Sequence, residues 1–339
     1  MRAAVLHEFK KPLSLEEVVP PEPGADEVLI EVEACGACHS DVHVADGDWV
    51  QFARIVKKPL ILGHEIAGRV IERGAAVETL EIGDRVGVPW IHHTCGQCEF
   101  CRQGNENLCG KQQITGVTVD GGYAEYVKAP ASHVVKIPDR LSPIEAAPLF
   151  CAGVTVFRAL RQVSLCPGKR LAVFGVGGLG HLAVQIGRSQ GAEVTAIDVV
   201  DEKLTLAKAL GAATTLNAQV VDVAKAMRGS GGADVAIVTS AAKSAYEAAF
   251  YSVRPTGTLL VVGLPPENIC FPPVLMAAGE IRIRATAVGT RQDLRDVMVM
   301  AAAAQLRCQT AERPLADVNA VLNDLRYGRI SGRAVLIPD

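Results

Sequence analysis

The sequence predicts an α/β protein in two parts, a doubly wound parallel sheet and a strand-rich domain. Three observations carry this. Residues 170–287 alternate short apolar strands with helical patterns, as a parallel sheet covered by helices does. Residues 1–150 show short alternating runs punctuated by Gly and Pro, which suit a barrel or sandwich. The 339 residues also exceed what one hydrophobic core usually holds, about 250–300 residues.

In the first part, residues 28–33 alternate apolar with polar, and 68–74 and 84–88 read as short strands into turns. Residues 121–127 start another strand after a Gly-Gly turn, and from Ser142 the pattern becomes helical through Cys151 to Arg161. The second part opens on a strand, 171–174, that runs into Gly175, Gly177, Gly178 and Gly180. Leu179, Leu182, Ala183, Ile186 and Gly187 then share one helical face, and a second strand, 194–197, ends on Asp198. This is G-x-G-x-x-G between strand and helix with an acid at the end of the next strand, the setting in which it binds a dinucleotide. Gly175 allows the tight turn, Gly177 lets the backbone approach a pyrophosphate, and Gly180 packs helix on strand. Gly178 and Leu179 lead into a helix N-terminus whose unpaired N–H groups face the phosphates. Asp198 would accept from the adenosine ribose hydroxyls; its charge repels a 2′-phosphate and so favours NAD over NADP. Later strands are expected at 235–239, 259–262 and 281–285. Helical stretches follow at 294–304 and 317–327, then a last strand at 333–337. Periodicity does not say which part this tail joins.

Composition excludes several classes. At 49% hydrophobic and 21% charged the chain is an ordinary globular one, and a net charge of −3 gives no reason to expect nucleic acid or an anionic membrane as partner. No apolar run reaches the ~20 residues of a membrane span. The opening Met-Arg-Ala-Ala-Val-Leu-His reads as a strand start and not a signal peptide, so a cytoplasmic location is expected. The ten cysteines are spaced like metal sites in a reducing compartment, not like a disulfide framework.

Cys95, Cys98, Cys101 and Cys109 form C-x2-C-x2-C-x7-C in a Gly-rich loop. Four thiolates close a tetrahedral structural zinc, and iron–sulfur clusters use the same number. A second set is scattered: Cys38-His39-Ser40-Asp41-Val42-His43, then Gly63-His64-Glu65, then Cys151. Taken singly each is ambiguous, since a lone Cys is usually a small buried hydrophobe. Cys35 and Cys38 even form a C-x2-C that reads as a redox pair or as half a metal site.

In combination, the motifs Gly36-Ala-Cys-His-Ser-Asp-Val-His43, Gly63-His-Glu65, the four-cysteine loop, Cys151-Ala-Gly-Val-Thr155 and Gly175 to Gly180 resemble the zinc-dependent alcohol dehydrogenases. These belong to the medium-chain dehydrogenase/reductase superfamily, and the resemblance to their bacterial and yeast type covers essentially the whole chain. It implies a GroES-like catalytic domain of residues 1–150 and 288–339, a Rossmann domain of residues 151–287, and a site in the cleft between them. Cys38, His64 and Cys151 would hold a catalytic zinc with water or substrate fourth, an open Cys2His site. Glu65 would lie behind the metal and coordinate transiently, or be an ordinary charged residue. Asp41 would orient His64. With the four-cysteine site this makes two zinc ions per subunit.

The implied reaction is reversible hydride transfer between a primary alcohol and NAD, zinc lowering the alcohol's pKa so that an alkoxide forms near neutral pH. Ser40 would be the relay hydroxyl, or a turn residue. His43 would pass the proton onward, or be a surface imidazole. His39 and Arg333 would contact the pyrophosphate. Lys203 would lie beside the adenosine ribose, or in solvent at a helix start. Val262 and Val288 would meet the nicotinamide carboxamide. Trp49 and Trp90 would wall a narrow pocket for small linear primary alcohols and aldehydes, or be core aromatics. His92, His93 and His133 match nothing required, and His181 reads as structural. A homotetramer is implied. Two other classes compete: a zinc dehydrogenase of a polyol, secondary or cinnamyl-type alcohol, and a non-enzymatic dinucleotide- or zinc-binding protein. Polyol enzymes commonly carry a carboxylate in place of the Cys151 ligand, and NADPH-preferring relatives lack the acid at Asp198.

Overall fold

The computed structural model describes residues 1–265 and 267–338. It resolves into two compact units, one of Met1–Val154, Val288–Ala304 and Cys308–Asp339, the other of Thr155–Ala287 and Gln305–Arg307. The first unit contains strands β1 (Arg2–Leu6), β2 (Ser14–Glu17), β3 (Glu27–Gly36), β4 (Leu60–Ile61), β5 (Glu65–Arg73), β6 (Arg85–Val88), β7 (Ile91–His93), β8 (Gln113–Ile114), β9 (Tyr126–Pro130) and β10 (Val135–Lys136). Short helices α1 (His39–Asp46), α2 (Val50–Ala53), α3 (Glu99–Arg102) and α4 (Pro143–Ala146) lie between them, and the boundary falls within α5 (Ala152–Arg161).

The second unit alternates β11 (Arg170–Phe174), α6 (Gly180–Ser189), β12 (Glu193–Asp198), α7 (Asp201–Ala209), β13 (Thr214–Asn217), α8 (Val223–Gly229), β14 (Ala233–Val238), α9 (Lys243–Ser252), β15 (Val253–Val261), α10 (Pro273–Gly279) and β16 (Arg282–Ala285). Its six strands are all parallel in the order β13-β12-β11-β14-β15-β16, the 3-2-1-4-5-6 order of the dinucleotide-binding fold. Central β14 is buried at every position, as a strand covered on both faces must be. The core here is built on Phe174, Val238, Tyr246, Phe250 and Leu259.

The tail, α11 (Arg291–Ala302), β17 (Thr310–Pro314), α12 (Val318–Arg326) and β18 (Arg333–Ile337), returns to the first unit. There β18 pairs antiparallel with β3, and the sheet runs β10-β6-β5-β3-β18-β17 with β9 also on β3. Strand β17 carries Thr-Ala-Glu-Arg-Pro, which has no apolar alternation, so the sequence gives no sign of it. The continuous helix expected through Cys151 is interrupted: α4 stops at Ala146, a 3-10 turn covers Ala147–Phe150, and Cys151 adopts φ −129°, ψ −67°. Pro148 explains the break, since it has no N–H for the helix ladder and its ring clashes with the preceding turn. Among the described residues no single helix is long and apolar enough to cross a membrane.

Two buried imidazoles in this unit make its stability pH-dependent. Burial pushes His92 down to about 4 and His133 down to about 3, so both stay neutral in the folded chain. In the unfolded chain a histidine takes up a proton near pH 6.5. The stabilisation is therefore complete above pH 6.5 and is lost as pH falls below it, by at most about 2 kcal/mol per group at pH 5. The unfolding midpoint should drop between pH 7 and pH 5, and by less in zinc-loaded His92→Gln. Equal drops in the two proteins would show that His92 does not carry the effect.

Candidate metal centre and dinucleotide turn

Antiparallel pairing builds the first cluster. Gly36 at the end of β3 lies opposite Glu65 at the start of β5, which brings Cys38 and His64 together from the two strand ends. Gly36 is required there, because a Cβ would fall 2.0 Å from Glu65 Oε2. Cys151 reaches the same point from the broken helix. One ligand atom each from Cys38, His64, Glu65 and Cys151 lies within 4.8 Å of all the others, and all four residues are buried. The Cys38 and Cys151 sulfurs are 4.0 Å apart. That is too far for a disulfide, but close to the ~3.8 Å separation of two thiolates on one tetrahedral zinc.

The hydrogen bonds point to a metal. His64 Nδ1 lies 3.0 Å from Asp41 Oδ1, so this nitrogen carries the proton and Nε2 is the acceptor. Nε2 is buried with no partner. A buried acceptor left so is costly unless something coordinates it. Asp41, itself buried, also accepts from Cys38 N at 2.9 Å and from Tyr123 Oη at 2.8 Å. A hydrogen bond from Cys151 holds the Cys38 thiol well below its usual range despite burial, with the Arg333 guanidinium adding positive charge. Soft thiolates with one imidazole suit zinc. Asp41→Asn should therefore weaken zinc at this cluster by about 10- to 100-fold and leave the four-cysteine loop loaded, as read by chelator competition. Unchanged zinc retention would remove Asp41 from this role.

Glu65 is fully buried; Oε1 accepts from Arg333 Nη2, and Oε2 has no partner. Burial pushes its carboxyl up to about 7, against the pull of Arg333. Arg333, expected at a pyrophosphate, is buried against Glu65, and its Nε is buried without a partner. Ser40 Oγ lies 3.6 Å from the Cys38 sulfur. His43 Nδ1 lies 2.9 Å from Asp48 Oδ1, and the Trp49 indole stacks on the His43 ring at 4.4 Å. Trp90 meets the His64 ring edge-on at 4.7 Å and so borders this cluster, whereas Trp49 lies against His43. His39 is exposed, 5.2 Å from the His43 ring, and Val288 is partly buried with φ 42°.

The loop cysteines Cys95, Cys98, Cys101 and Cys109 form the second donor set, again within 4.8 Å of one another. Sulfur separations of 3.6 Å (Cys95 to Cys109) and 4.0 Å (Cys95 to Cys101) fit one tetrahedral ion. Hydrogen bonds from the Gln97 and Cys98 backbone draw Cys95 down to about 6, and Lys111 N donates to the Cys109 sulfur at 3.4 Å.

In the second unit the glycine turn has the form its pattern requires. Gly175 has φ 90°, a Cβ on Gly180 would lie 1.8 Å from Gly175 O, and Gly177 faces open space. Gly178 and Leu179 lead into α6, which has no side-chain cap; His181 N already bonds Gly177 O at 3.2 Å, so the N–H groups ahead of it are the ones that can face an anion. Asp198 ends β12; its carboxylate accepts from Val176 N at 2.6 Å, Val199 N at 2.8 Å and Val200 N at 3.1 Å. His181 Nδ1 ties to Gly177 O at 2.9 Å, a structural contact. Lys203 is half-buried on α7, and Val262 is buried beyond β15 with its N–H given to Val238 O.

Residues 24–139 match the family described as alcohol dehydrogenase GroES-like domain, and residues 178–303 match zinc-binding dehydrogenase. An alcohol dehydrogenase of Geobacillus stearothermophilus is 45% identical over 340 residues, covering 100% of both chains. The chain belongs to the zinc-binding alcohol dehydrogenases. It is an oxidoreductase of the medium-chain superfamily, with a GroES-like and a Rossmann domain. The crystal structure of the alcohol dehydrogenase from Aeropyrum pernix superimposes with a TM-score of 0.93 at 35% identity, covering 100% of both chains. A zinc-binding dehydrogenase from Sinorhizobium meliloti 1021, bound to NADP, gives 0.90 at 27% identity over 99% of each chain.

Sequence reasoning missed three residues of this alcohol dehydrogenase site, Asp48, Tyr123 and Phe52, and the partner of a fourth, Arg333. Asp48 was detectable, being an acid just beyond the helix that carries His43. The roles of Tyr123 under Asp41, Phe52 beside Trp49, and Arg333 as the partner of Glu65 depend on long-range packing and leave no local signal.

Proposed function

We propose that this alcohol dehydrogenase oxidises short, unbranched primary alcohols to aldehydes with NAD, reversibly, as RCH2OH + NAD⁺ → RCHO + NADH + H⁺. The observation that carries the reading is the buried Cys38–His64–Cys151 donor set, with His64 Nε2 unpartnered and the Trp90 indole edge-on to His64. Zinc held there supplies Lewis acidity, which makes an alcohol hydroxyl acidic near neutral pH, and NAD supplies the hydride acceptor. Asp41 fixes the His64 tautomer. Ser40 takes the alcohol proton at Oγ, and His43 moves it outward, with Asp48 holding Nδ1–H so that Nε2 is the accepting atom. Glu65, held by Arg333, stands beside the donors as a fourth ligand during exchange. Cys95, Cys98, Cys101 and Cys109 hold a second, structural zinc.

On the second unit, Gly177, Gly178 and Leu179 present the pyrophosphate site, Asp198 accepts from the ribose hydroxyls, and Lys203 lies beside them. Val262, Val288 and His39 complete the cofactor contacts. Neighbours of this fold are solved with NADP and, for an acetophenone reductase of Geotrichum candidum, with NAD, so the choice here is assigned to Asp198. Assembly as a homotetramer belongs to the same proposal and is read by light scattering. The test is NADH and NADPH formation from ethanol, 1-propanol, 1-butanol, 2-propanol and a polyol. The highest kcat/KM is expected with NAD on the short primary alcohols. Turnover confined to the polyol or the secondary alcohol would overturn the substrate assignment and keep the reaction.

A further inference from the structure

Five aromatic rings follow one another from a metal-ligand imidazole to the relay imidazole. Trp90 meets His64 edge-on at 4.7 Å, Phe52 meets Trp90 at 6.3 Å, Trp49 lies 5.6 Å from Phe52, and His43 stacks on Trp49 at 4.4 Å. Each step falls within or near the 4.5–7 Å range in which ring pairs interact. The two indoles have no direct ring contact with each other among the described residues; Phe52 joins them. It sits on α2, a single turn that Trp49 precedes, and both rings are partly buried against the first unit's core. The arc thus closes at an apolar side chain that is not one of the donors.

We propose that Phe52 is the specificity-determining residue of the site. Its ring keeps the wall between Trp49 and Trp90 closed, and so excludes alcohols that carry a ring or branch near the hydroxyl carbon. The inference rests on the alcohol-oxidation reading above and deepens it, from a donor set that Trp90 borders to a wall whose closure Phe52 sets. Trp90 is held edge-on against His64 and buried, with 8% of its surface exposed, whereas Phe52 is partly buried between the two indoles and the core. Truncating Phe52 therefore opens space in the wall while leaving Cys38, His64, Cys151 and Ser40 with their own contacts.

The test compares zinc-loaded wild type, Phe52→Ala, Phe52→Leu and Phe52→Tyr with NAD on ethanol, 1-butanol and benzyl alcohol. In Phe52→Ala the kcat/KM ratio of benzyl alcohol to ethanol should rise about 10- to 200-fold, the scale of one or more methylenes of pocket space. Phe52→Leu should lie between, and Phe52→Tyr should keep the wild-type ratio. A residue that only fills the core would lower all three alcohols together, and a constant ratio overturns the proposal. A second readout does not need turnover. The two tryptophans of the chain, Trp49 and Trp90, both belong to the arc, so their emission reports benzyl alcohol binding. Phe52→Ala should bind benzyl alcohol about tenfold more tightly than wild type, and equal affinity overturns the proposal. If wild type oxidises none of these alcohols, the reaction reading fails, and the binding comparison still decides the role of Phe52.

Discussion

Cys38→Ser should lose about 10³-fold or more of its alcohol oxidation while binding NAD as well as wild type does. A serine hydroxyl does not ionise in the range where this thiol does, and the structure holds Cys38 well below the ordinary thiol range through its hydrogen bond from Cys151. Replacing it leaves one thiolate and one imidazole, too few for a catalytic zinc, which takes three protein ligands. The Lewis acidity is then lost, and it is the largest lever available for making an alcohol acidic at neutral pH. The glycine turn and Asp198 belong to the other unit, so NAD affinity, read by quenching of NADH fluorescence, should not change. Retained turnover would remove the metal assignment; lost cofactor binding would mean that the variant had misfolded.

Asp198→Gly should raise the ratio of kcat/KM with NADP to that with NAD by about 10- to 1000-fold. The range follows from one carboxylate near a 2′-phosphate, about 1 to 4 kcal/mol between bulk water and a protein surface. The same side chain accepts hydrogen bonds from three backbone N–H groups of its turns, so the variant should also bind NAD more weakly and unfold at a lower temperature. Asp198→Asn separates the two contributions, since it removes the charge and keeps one acceptor. An unchanged cofactor ratio in both variants would show that the carboxylate does not face the ribose.

The parts of the fold that the sequence reveals are those where the chemistry is local. Gly175 to Gly180 needs a strand before it and a helix after it, both in the same 25 or so residues that build one strand–turn–helix unit. The four loop cysteines are likewise neighbours in sequence. The catalytic donors are not: Cys38, His64 and Cys151 meet only because β3 pairs with β5 in a register that sets Gly36 against Glu65, and because Pro148 breaks the helix before Cys151. A single residue's slip in that register would put His64 on the other face of the sheet. Periodicity cannot supply such a register; the resemblance of the motifs supplied the ligand set. Arg333 shows the same limit from the other side. Its place in Gly332-Arg-Ala-Val suggested a phosphate contact, whereas the pairing of β18 with β3 sets it against Glu65, and sequence separation hides that partner.

The most direct measurement is NADH formation from ethanol by the protein as isolated, after chelation to remove metal, and after zinc is returned. The account predicts turnover in the first state, none in the second, and recovery in the third in proportion to zinc bound at the Cys38–His64–Cys151 donors. Undiminished turnover by protein shown to be free of metal would contradict it.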